Sequence, residues 1–513
     1  MPATFPATTR PLLPLAAAAL SGLTIQSCFL CFQLNTIAWV AFAPLLWAVR
    51  VSGDGRDATR IAFVAGLCTN IPAFYWLVYT INVFGGFPYP IAVLFYLGLS
   101  LYSSLQFLLF VHALRRLGRG PLALAAPAVW VTLEYLFPNL FPWRMANTQF
   151  HVPELLQVGD LTGPYALSFA IVWSAAGLVD LVERPRRWGA LAAAVTAALA
   201  IAAYGAWRLP QIDAAMAAAP QARVGLVQGN ISIEQKGNRA YFDVNLERYG
   251  ELSEPIQDDL DLLVWPETVS QFWIPADTPS LDGKSHPFPG LRVPLYFGGL
   301  AYRITGPREA DEFNAAFVIQ PDGTVLGRYD KRILMPFGEF LPFAETFPWI
   351  RKLSPATAGF RAGTEAKVID IPGALKVGAL ICYEDLVAGM PRATTHAGAE
   401  VLVTILNDAW YGNSPAPHQH QALALWRTVE TRRYLLRGSN TGVTSIIDAA
   451  GRVVDEGGLF SEEVIVGDVA RLDLESVYAR IGDVFVVTLA VATGLWLFAT
   501  LAVPHRRRPP AGT

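Results

Sequence analysis

Long apolar runs repeat through the N-terminal part of the chain, and one more follows near its end. A run of about 20 apolar residues is long enough to cross the hydrocarbon core of a bilayer as an α-helix. We predict eight such spans, at residues 11–27, 30–49, 60–82, 89–113, 121–137, 162–182, 187–207 and 484–503. Only 16% of the residues are charged, whereas soluble proteins average about a quarter. The N-terminal part must therefore face lipid rather than water.

The loops between these spans predict the orientation of the chain. Three alternate loops are rich in arginine: Arg50, Arg56 and Arg60; Arg115, Arg116 and Arg119; Arg184, Arg186 and Arg187. The intervening loops have Arg144 as their one basic residue. Short loops rich in Lys and Arg stay in the cytoplasm. Both termini, including the basic tail at 505–508, are therefore predicted to be cytoplasmic, with residues 208–482 on the outer side.

The outer segment has the pattern of an α/β domain, because short apolar runs alternate with helix-compatible sequence. The sequence 272–274 is interpreted as an apolar cluster within a loop. We predict strands near 223–228, 262–265, 295–300, 314–320, 324–329, 376–381, 401–407, 435–439 and 444–448. The chain thus divides into a seven-span bundle at 1–207, a soluble domain at 208–482, and a last span with its tail at 483–513.

One predicted strand ends at Cys382, the single cysteine of the soluble domain. A free cysteine is often a small buried hydrophobic residue, and Cys382 alone is as compatible with that role as with catalysis. A catalytic thiol needs a base and donors for an oxyanion. Glu267 and Lys331 supply these groups at the ends of two other predicted strands. Three strand ends that deliver Glu, Lys and Cys indicate a single site.

The residues around these three positions resemble the signatures of the nitrilase superfamily. The matching segments are Trp265-Pro266-Glu267, Tyr329-Asp330-Lys331-Arg332 with Pro336-Phe337-Gly338-Glu339, and Ile381-Cys382-Tyr383-Glu384. The superfamily has an α-β-β-α sandwich, so the resemblance implies that fold for the soluble domain. The surrounding spans, together with 228–230 and 407–412, resemble the apolipoprotein N-acyltransferase family. That family commonly has a tryptophan where this chain has Gly237, so another side chain such as Tyr241 would have to replace it.

The resemblance also implies a role for each residue of the site. Cys382 would be the nucleophile that carries the acyl group, Glu267 the general base, and Lys331 the cation that stabilises the oxyanion. The supporting residues would be Glu339, which holds Lys331; Tyr383, whose main-chain N–H is a second oxyanion donor; and Glu384, which orients the outer side of the site. Trp410, Phe272, Trp273 and Asn407 are the candidate substrate-binding residues.

The reaction implied by the family is the last step of lipoprotein maturation. A phospholipid would donate an acyl chain to Cys382, and the α-amine of a diacylglyceryl-cysteine lipoprotein would accept it in a ping-pong sequence. We expect a monomer in the bacterial inner membrane, with its catalytic domain on the periplasmic side. The sequence predicts no cofactor, no metal ion and no nucleic acid partner, since it lacks ligand clusters and dense basic arrays.

Two other functions remain open from the residues alone. A membrane-tethered amidase or thioester hydrolase would use the same three residues, with water in place of the amine. A transporter with an outer regulatory domain is the other alternative, although polar residues are sparse in the spans, with Glu134 and His112 as the main examples.

Overall fold

The computed structural model describes residues 12–502 except 118–120, 184–185, 187, 342–345 and 350–358. Arg119, Arg184, Arg187 and the basic tail at 505–508 lie outside the described residues.

The membrane-side helices are α1 Leu12–Leu30, α2 Asn35–Ala38, α3 Ala43–Val51, α4 Gly55–Ala73, α5 Leu77–Val83, α6 Tyr89–Leu117, α7 Leu122–Leu136, α8 Pro153–Leu156, α9 Gly159–Thr162, α10 Tyr165–Glu183 and α11 Gly189–Ala218. The later helices are α12 Ile233–Lys236, α13 Phe242–Ser253, α14 Gly389–His396, α15 Ala416–Ala424, α16 Trp426–Thr431, α17 Val477–Ile481 and α18 Val484–Ala502.

The helices confirm a membrane part but not the full count of predicted spans. Within the described residues, five helices are long and apolar enough to cross a bilayer: Leu12–Leu30, Phe32–Val51, Tyr89–Leu117, Tyr165–Glu183 and Gly189–Ala218. Helices α4 and α5 meet at a bend of 57° and together could form a sixth. The remaining predicted spans correspond to shorter apolar helices, Leu122–Leu136 and Val484–Thr500.

Helix α11 continues to Ala218, well beyond the predicted end of its span at residue 207. Its last turns are alanine-rich, and alanine carries the highest helix propensity, so the helix continues until Pro220 ends it. The soluble domain therefore begins as a strand at Gln221, shortly after the end of this helix.

The soluble domain contains two sheets. Its strands are β1 Gln221–Gln228, β2 Leu262–Val264, β3 Ser270–Pro275, β4 Leu295–Gly306, β5 Glu309–Ile319, β6 Val325–Asp330, β7 Val368–Ile371, β8 Leu375–Ile381, β9 Val401–Leu406, β10 Tyr434–Ser439, β11 Ser445–Ile447, β12 Val453–Glu456 and β13 Glu463–Ala470. The first sheet has the order β13-β1-β2-β4-β5-β6, with β3 paired to β4, and the second has the order β12-β11-β10-β9-β8-β7. Along both strand orders the central strands are parallel and the outer ones antiparallel, and β3 is parallel to β4.

The two sheets share one apolar core, which makes the domain a sandwich. Val224 and Val264 of the first sheet lie in the same buried cluster as Val377 and Val403 of the second. Helix α13 covers the outer face of the first sheet through Leu246. The outer face of the second sheet is covered by α15 and α16, and its buried cluster is continuous with that of the membrane helices. The predicted α-β-β-α arrangement is thus observed, with one helical layer fixed to the membrane part.

Four strands are missing from the sequence-based prediction. The interpretation of residues 272–274 as part of a loop is wrong, because they belong to β3 and pair with β4. Strands β7, β12 and β13 were not predicted at all. β12 and β13 carry acidic side chains among their apolar residues, and much of their length is only partly buried, so their apolar pattern is weak.

Candidate active site

The three predicted catalytic residues lie where strands of the two sheets end. Glu267 follows β2, Lys331 follows β6, and Cys382 follows β8. β2 and β8 each pair with strands on both sides, and β6 pairs with β5 at the edge of its sheet, so the side chains that follow them are held on an ordered frame. The fold therefore delivers residues from both sheets to one place.

Lys331 is buried between two carboxylates. Its Nζ lies 3.2 Å from Glu267 Oε1 and 2.9 Å from Glu339 Oε2. Burial opposes the positive charge, but the two carboxylates outweigh it, and the pKa of Lys331 lies well above its ordinary value. Lys331 is therefore a permanent cation in the site. The predicted contact between Glu339 and Lys331 is present.

Asn314, which the sequence analysis did not single out, connects the same two carboxylates. Its Nδ2 lies 2.7 Å from Glu267 Oε1 and 2.7 Å from Glu339 Oε1. The residue is buried on β5, between apolar neighbours. The sequence feature that could have indicated Asn314 is its position as a single amide among apolar residues, because a buried amide needs hydrogen-bonding partners. With Lys331, this amide leaves Glu267 little freedom to change its position.

Cys382 begins a short 3₁₀ turn, Cys382–Leu386, and has a φ of 51°, in the left-handed region. Non-glycine residues rarely adopt this conformation, and it recurs at functional sites where the surroundings enforce it. Burial and the negative charge of Glu267 raise the pKa of the Cys382 thiol well above its ordinary value, against the opposing effect of Lys331. The resting residue is therefore a thiol, which requires a base before it can attack a carbonyl carbon.

Glu384 joins the Cys382 turn to the Lys331 segment. Its Oε1 accepts hydrogen bonds from the main-chain nitrogens of Arg332 and Ile333, at 2.6 and 3.0 Å. Its Oε2 accepts from Tyr329 Oη and from the nitrogen of Ile381, at 2.9 and 2.8 Å. The side chain is completely buried, so it faces the interior between two motifs and not the outer side expected from the resemblance.

Tyr383 connects the site to the membrane helices. Its hydroxyl donates to the carbonyl oxygen of Leu140 at 2.5 Å, and its ring contacts Phe141 edge-on. Both partners lie in the segment that follows α7. The residue after Cys382 is therefore in direct contact with the membrane part.

Comparison with known proteins agrees with this geometry. A family model for the apolipoprotein N-acyltransferase N-terminal domain matches residues 21–177, and one for carbon-nitrogen hydrolases matches residues 223–479. The apolipoprotein N-acyltransferase of Geobacter metallireducens is 34% identical over 94% of both chains. That of Bradyrhizobium diazoefficiens is 31% identical, again over 94% of both chains. The chain belongs to the apolipoprotein N-acyltransferase family. The resemblance inferred from the motifs is confirmed.

In this member of the family, a buried histidine, His420, contacts aspartates of the turns that follow β8 and β9. His420 Nε2 is 2.8 Å from Asp385 Oδ1, and His420 Nδ1 is 3.3 Å from Asp408 Oδ1. Arg437 contacts the other oxygen of Asp385 at 3.2 Å. Burial lowers the pKa of His420, but the two carboxylates outweigh it and raise the pKa to about 9. An imidazolium thus holds together the turns that follow β8 and β9.

A second lysine, Lys236, also contacts a residue of the site. The sequence does not predict it. Lys236, at the end of α12, donates from Nζ to the main-chain oxygen of Glu267 at 2.6 Å. The signal was weak, because a lysine in a short helix beside a Gly-Asn turn is usually solvated. Among the described residues, no cluster of His, Cys, Asp and Glu is arranged to hold a metal ion.

The candidate substrate-binding residues occupy different environments. Trp410 is half-buried, and its ring centroid lies 4.1 Å from that of Phe84 in the membrane part. Asn407 is buried, with its Oδ1 accepting from Asn440 at 3.2 Å. On β3, Phe272 packs edge-on against Phe242, whereas Trp273 is exposed. Trp410 is thus the one of the four with a described ring contact to the membrane part.

A narrow apolar cavity lies between the membrane helices and α15. Trp76, Phe141 and Trp143 line it from the membrane side, and Tyr411 and Leu423 from the soluble domain. Tyr411 belongs to the turn after β9, and its ring lies 4.9 Å from that of Trp76. The cavity is therefore lined by residues of both the membrane part and the soluble domain, and most of its lining is apolar.

Proposed function

We propose that this protein transfers an acyl chain from a phospholipid to the α-amine of a lipoprotein's N-terminal diacylglyceryl-cysteine. This is the reaction of the N-acyltransferase family and the last step of lipoprotein maturation. The observation that carries the proposal is the buried charge arrangement, in which Lys331 lies between Glu267 and Glu339 beside a thiol that needs a base.

In the first half-reaction, Cys382 attacks the ester carbonyl of the phospholipid. Glu267 takes the thiol proton as the sulfur–carbon bond forms. Lys331 and the main-chain N–H of Tyr383 stabilise the oxyanion of the tetrahedral intermediate. The ester carbon–oxygen bond then breaks, the lysophospholipid oxygen receives the proton from Glu267, and an acyl thioester remains on Cys382.

In the second half-reaction, the lipoprotein α-amine attacks the thioester carbonyl. Glu267 takes a proton from the attacking nitrogen, and the same two donors stabilise the oxyanion. The carbon–sulfur bond breaks, the proton returns to the sulfur, and the product is an amide. Glu339 and Asn314 hold Lys331 and Glu267 through both steps, a role supported by their short contacts.

The membrane arrangement belongs to the same proposal. Eight spans would place both termini in the cytoplasm and residues 208–482 on the periplasmic side of the inner membrane, where phospholipid and lipoprotein meet. The division at residues 207 and 483 belongs to the same proposal, with helix α11 continuing past residue 207 to Ala218 and the first strand of the soluble domain beginning at Gln221. A monomer is part of the proposal as well, since Glu267, Lys331 and Cys382 all come from one chain. The alternation of arginine-rich loops supports the orientation.

The test is the mass of the intact protein after incubation with phospholipid alone. We expect one acyl adduct on Cys382, absent from Cys382→Ser and unchanged in the control Cys31→Ser, which alters an exposed thiol of the membrane part. Addition of a diacylglyceryl peptide should discharge the adduct and give the N-acyl peptide. Release of free fatty acid without an amide would instead identify a hydrolase. Turnover without any adduct on Cys382 would contradict the mechanism.

A further inference from the structure

Lys236 lies within the protein and contacts the main chain of Glu267, not its carboxylate. Its side chain is buried, with 9% of the residue exposed. Its Nζ donates to the carbonyl oxygen of Glu267 at 2.6 Å. Among the described residues it forms no ion pair with a carboxylate. A buried ammonium without a carboxylate partner costs folding free energy. We therefore asked what its contact with the main chain of Glu267 does for the site.

The main chain around Glu267 is under conformational constraint. The next residue, Thr268, has a φ of 52°, in the left-handed region that threonine rarely adopts. Such a conformation persists only where neighbouring contacts enforce it. Lys236 provides one contact through the carbonyl oxygen of Glu267, and Gly298 of β4 packs against the main chain of Glu267 and Thr268.

Charge also connects Lys236 to the reacting groups. Burial lowers the pKa of Lys236 to about 8, although Glu267 and Cys382 act in the opposite direction. The lysine is therefore close enough to the carboxylate of Glu267 to interact with its negative charge. It also loses its proton, and part of its hold on the carbonyl oxygen, within an experimentally accessible pH range.

We propose that Lys236 is a positioning residue for the transfer reaction: its ammonium holds the main chain of Glu267 so that the carboxylate can act on Cys382. The inference rests on the proposed function, in which Glu267 is the general base. Lys331 fixes the carboxylate end of Glu267, and Lys236 fixes its main chain. Two lysines thus hold one base at two points.

Single-turnover acylation of Cys382 tests this role without the acceptor amine. Lys236→Met is compared with Lys376→Met, a control that changes an exposed lysine of β8. Each is assayed with a phospholipid and with a long-chain p-nitrophenyl ester, which has no phosphate. We expect Lys236→Met to slow acylation about 10²-fold with both donors, because small displacements of a catalytic group have effects of that size. A loss confined to the phospholipid would show that Lys236 binds phosphate and would overturn the proposal.

The pH profile gives a readout that a purely structural role would not change. In the wild type, the acylation rate should fall reversibly as the pH rises through about 8, where Lys236 loses its proton. Lys236→Gln keeps a donor without a titratable charge, so this fall should be absent from its profile. If Lys236→Met does not fold, the wild-type and Lys236→Gln profiles still decide. A wild-type rate with no fall near pH 8, or the same fall in Lys236→Gln, would contradict the proposal.

The two possible failures are distinguishable. If the wild type forms no Cys382 adduct with either donor, the proposed function fails. If the wild type forms the adduct and Lys236→Met forms it as fast as Lys376→Met, the proposed function stands and the role of Lys236 alone is wrong.

Discussion

The carboxylate of Glu384 lies 2.6 Å from the main-chain nitrogen of Arg332, the residue that follows Lys331. Glu384 itself lies two residues after Cys382. One side chain therefore sets the distance between the segment that carries Lys331 and the turn that carries Cys382. The two segments come from different sheets, so this contact also fixes the sheets relative to each other.

Glu384→Gln should impair both stability and acylation. In the wild type, the nitrogen of Ile381 and the hydroxyl of Tyr329 both donate to the Glu384 carboxylate. The amide of glutamine would place its own NH₂ donor against such groups, so hydrogen bonds would be lost. We expect a loss of about 3 kcal/mol in the free energy of unfolding, the usual scale for buried bonds to a charged group. Adduct formation on Cys382 should slow at least tenfold. The exposed control Glu365→Gln should match the wild type, and equal behaviour of both variants would contradict this role.

Asn314 should matter through its two hydrogen bonds to Glu267 and Glu339. Asn314→Ala removes both donors, and we expect acylation of Cys382 to slow about 10²-fold, as for the loss of a positioned donor. Asn314→Asp adds a third carboxylate beside one lysine, which raises the pKa of the neighbouring carboxyl groups and should cost a further tenfold at neutral pH. Single-turnover mass spectrometry measures both rates. Asn314→Asp with more activity than Asn314→Ala would contradict the electrostatic argument.

His420 should make the stability of the soluble domain depend on pH. Its pKa is about 9 in the folded protein, above the ordinary value of 6.5. The stabilisation is therefore complete below about pH 6.5 and is lost as the pH rises through 9, with a total of about 3 kcal/mol. Because Lys236 also titrates in this range, the informative quantity is the difference in melting temperature between the wild type and His420→Gln. That difference should shrink from pH 6 to pH 9.5, and a constant difference would exclude a charged His420.

The sequence predicted the residues whose local context is distinctive. Glu267, Lys331 and Cys382 each lie just after a predicted strand, and that pattern is visible without tertiary structure. Lys236 and Asn314 could not be placed in the same way. Their partners lie in other elements of the fold: Glu267 follows β2, and Glu339 lies in the segment after β6. Their roles depend on sheet order, which local pattern does not determine.

The membrane part shows the same limit. Hydropathy located every apolar helix, but it could not predict that α4 and α5 bend by 57° or that α7 has only 15 residues. Such features depend on packing between helices and on the soluble domain above them, rather than on the apolar character of one segment. Burial of His420 between Asp385 and Asp408 likewise follows from the packing of α15 on the second sheet.

Gly298 should be required because it lies against the main chain of Glu267 and Thr268. A Cβ at this position would lie 2.4 Å from the nitrogen of Thr268 and 2.6 Å from the Cα of Glu267, and both are main-chain atoms that cannot rotate away. Gly298→Ala must therefore displace Glu267, and we expect acylation of Cys382 to slow about 10²-fold. Gly306→Ala is the matched control on the same strand, because its nearest neighbour is a flexible side-chain oxygen at 3.5 Å. Equal rates for the two variants would mean that the position of the Glu267 main chain does not limit the reaction.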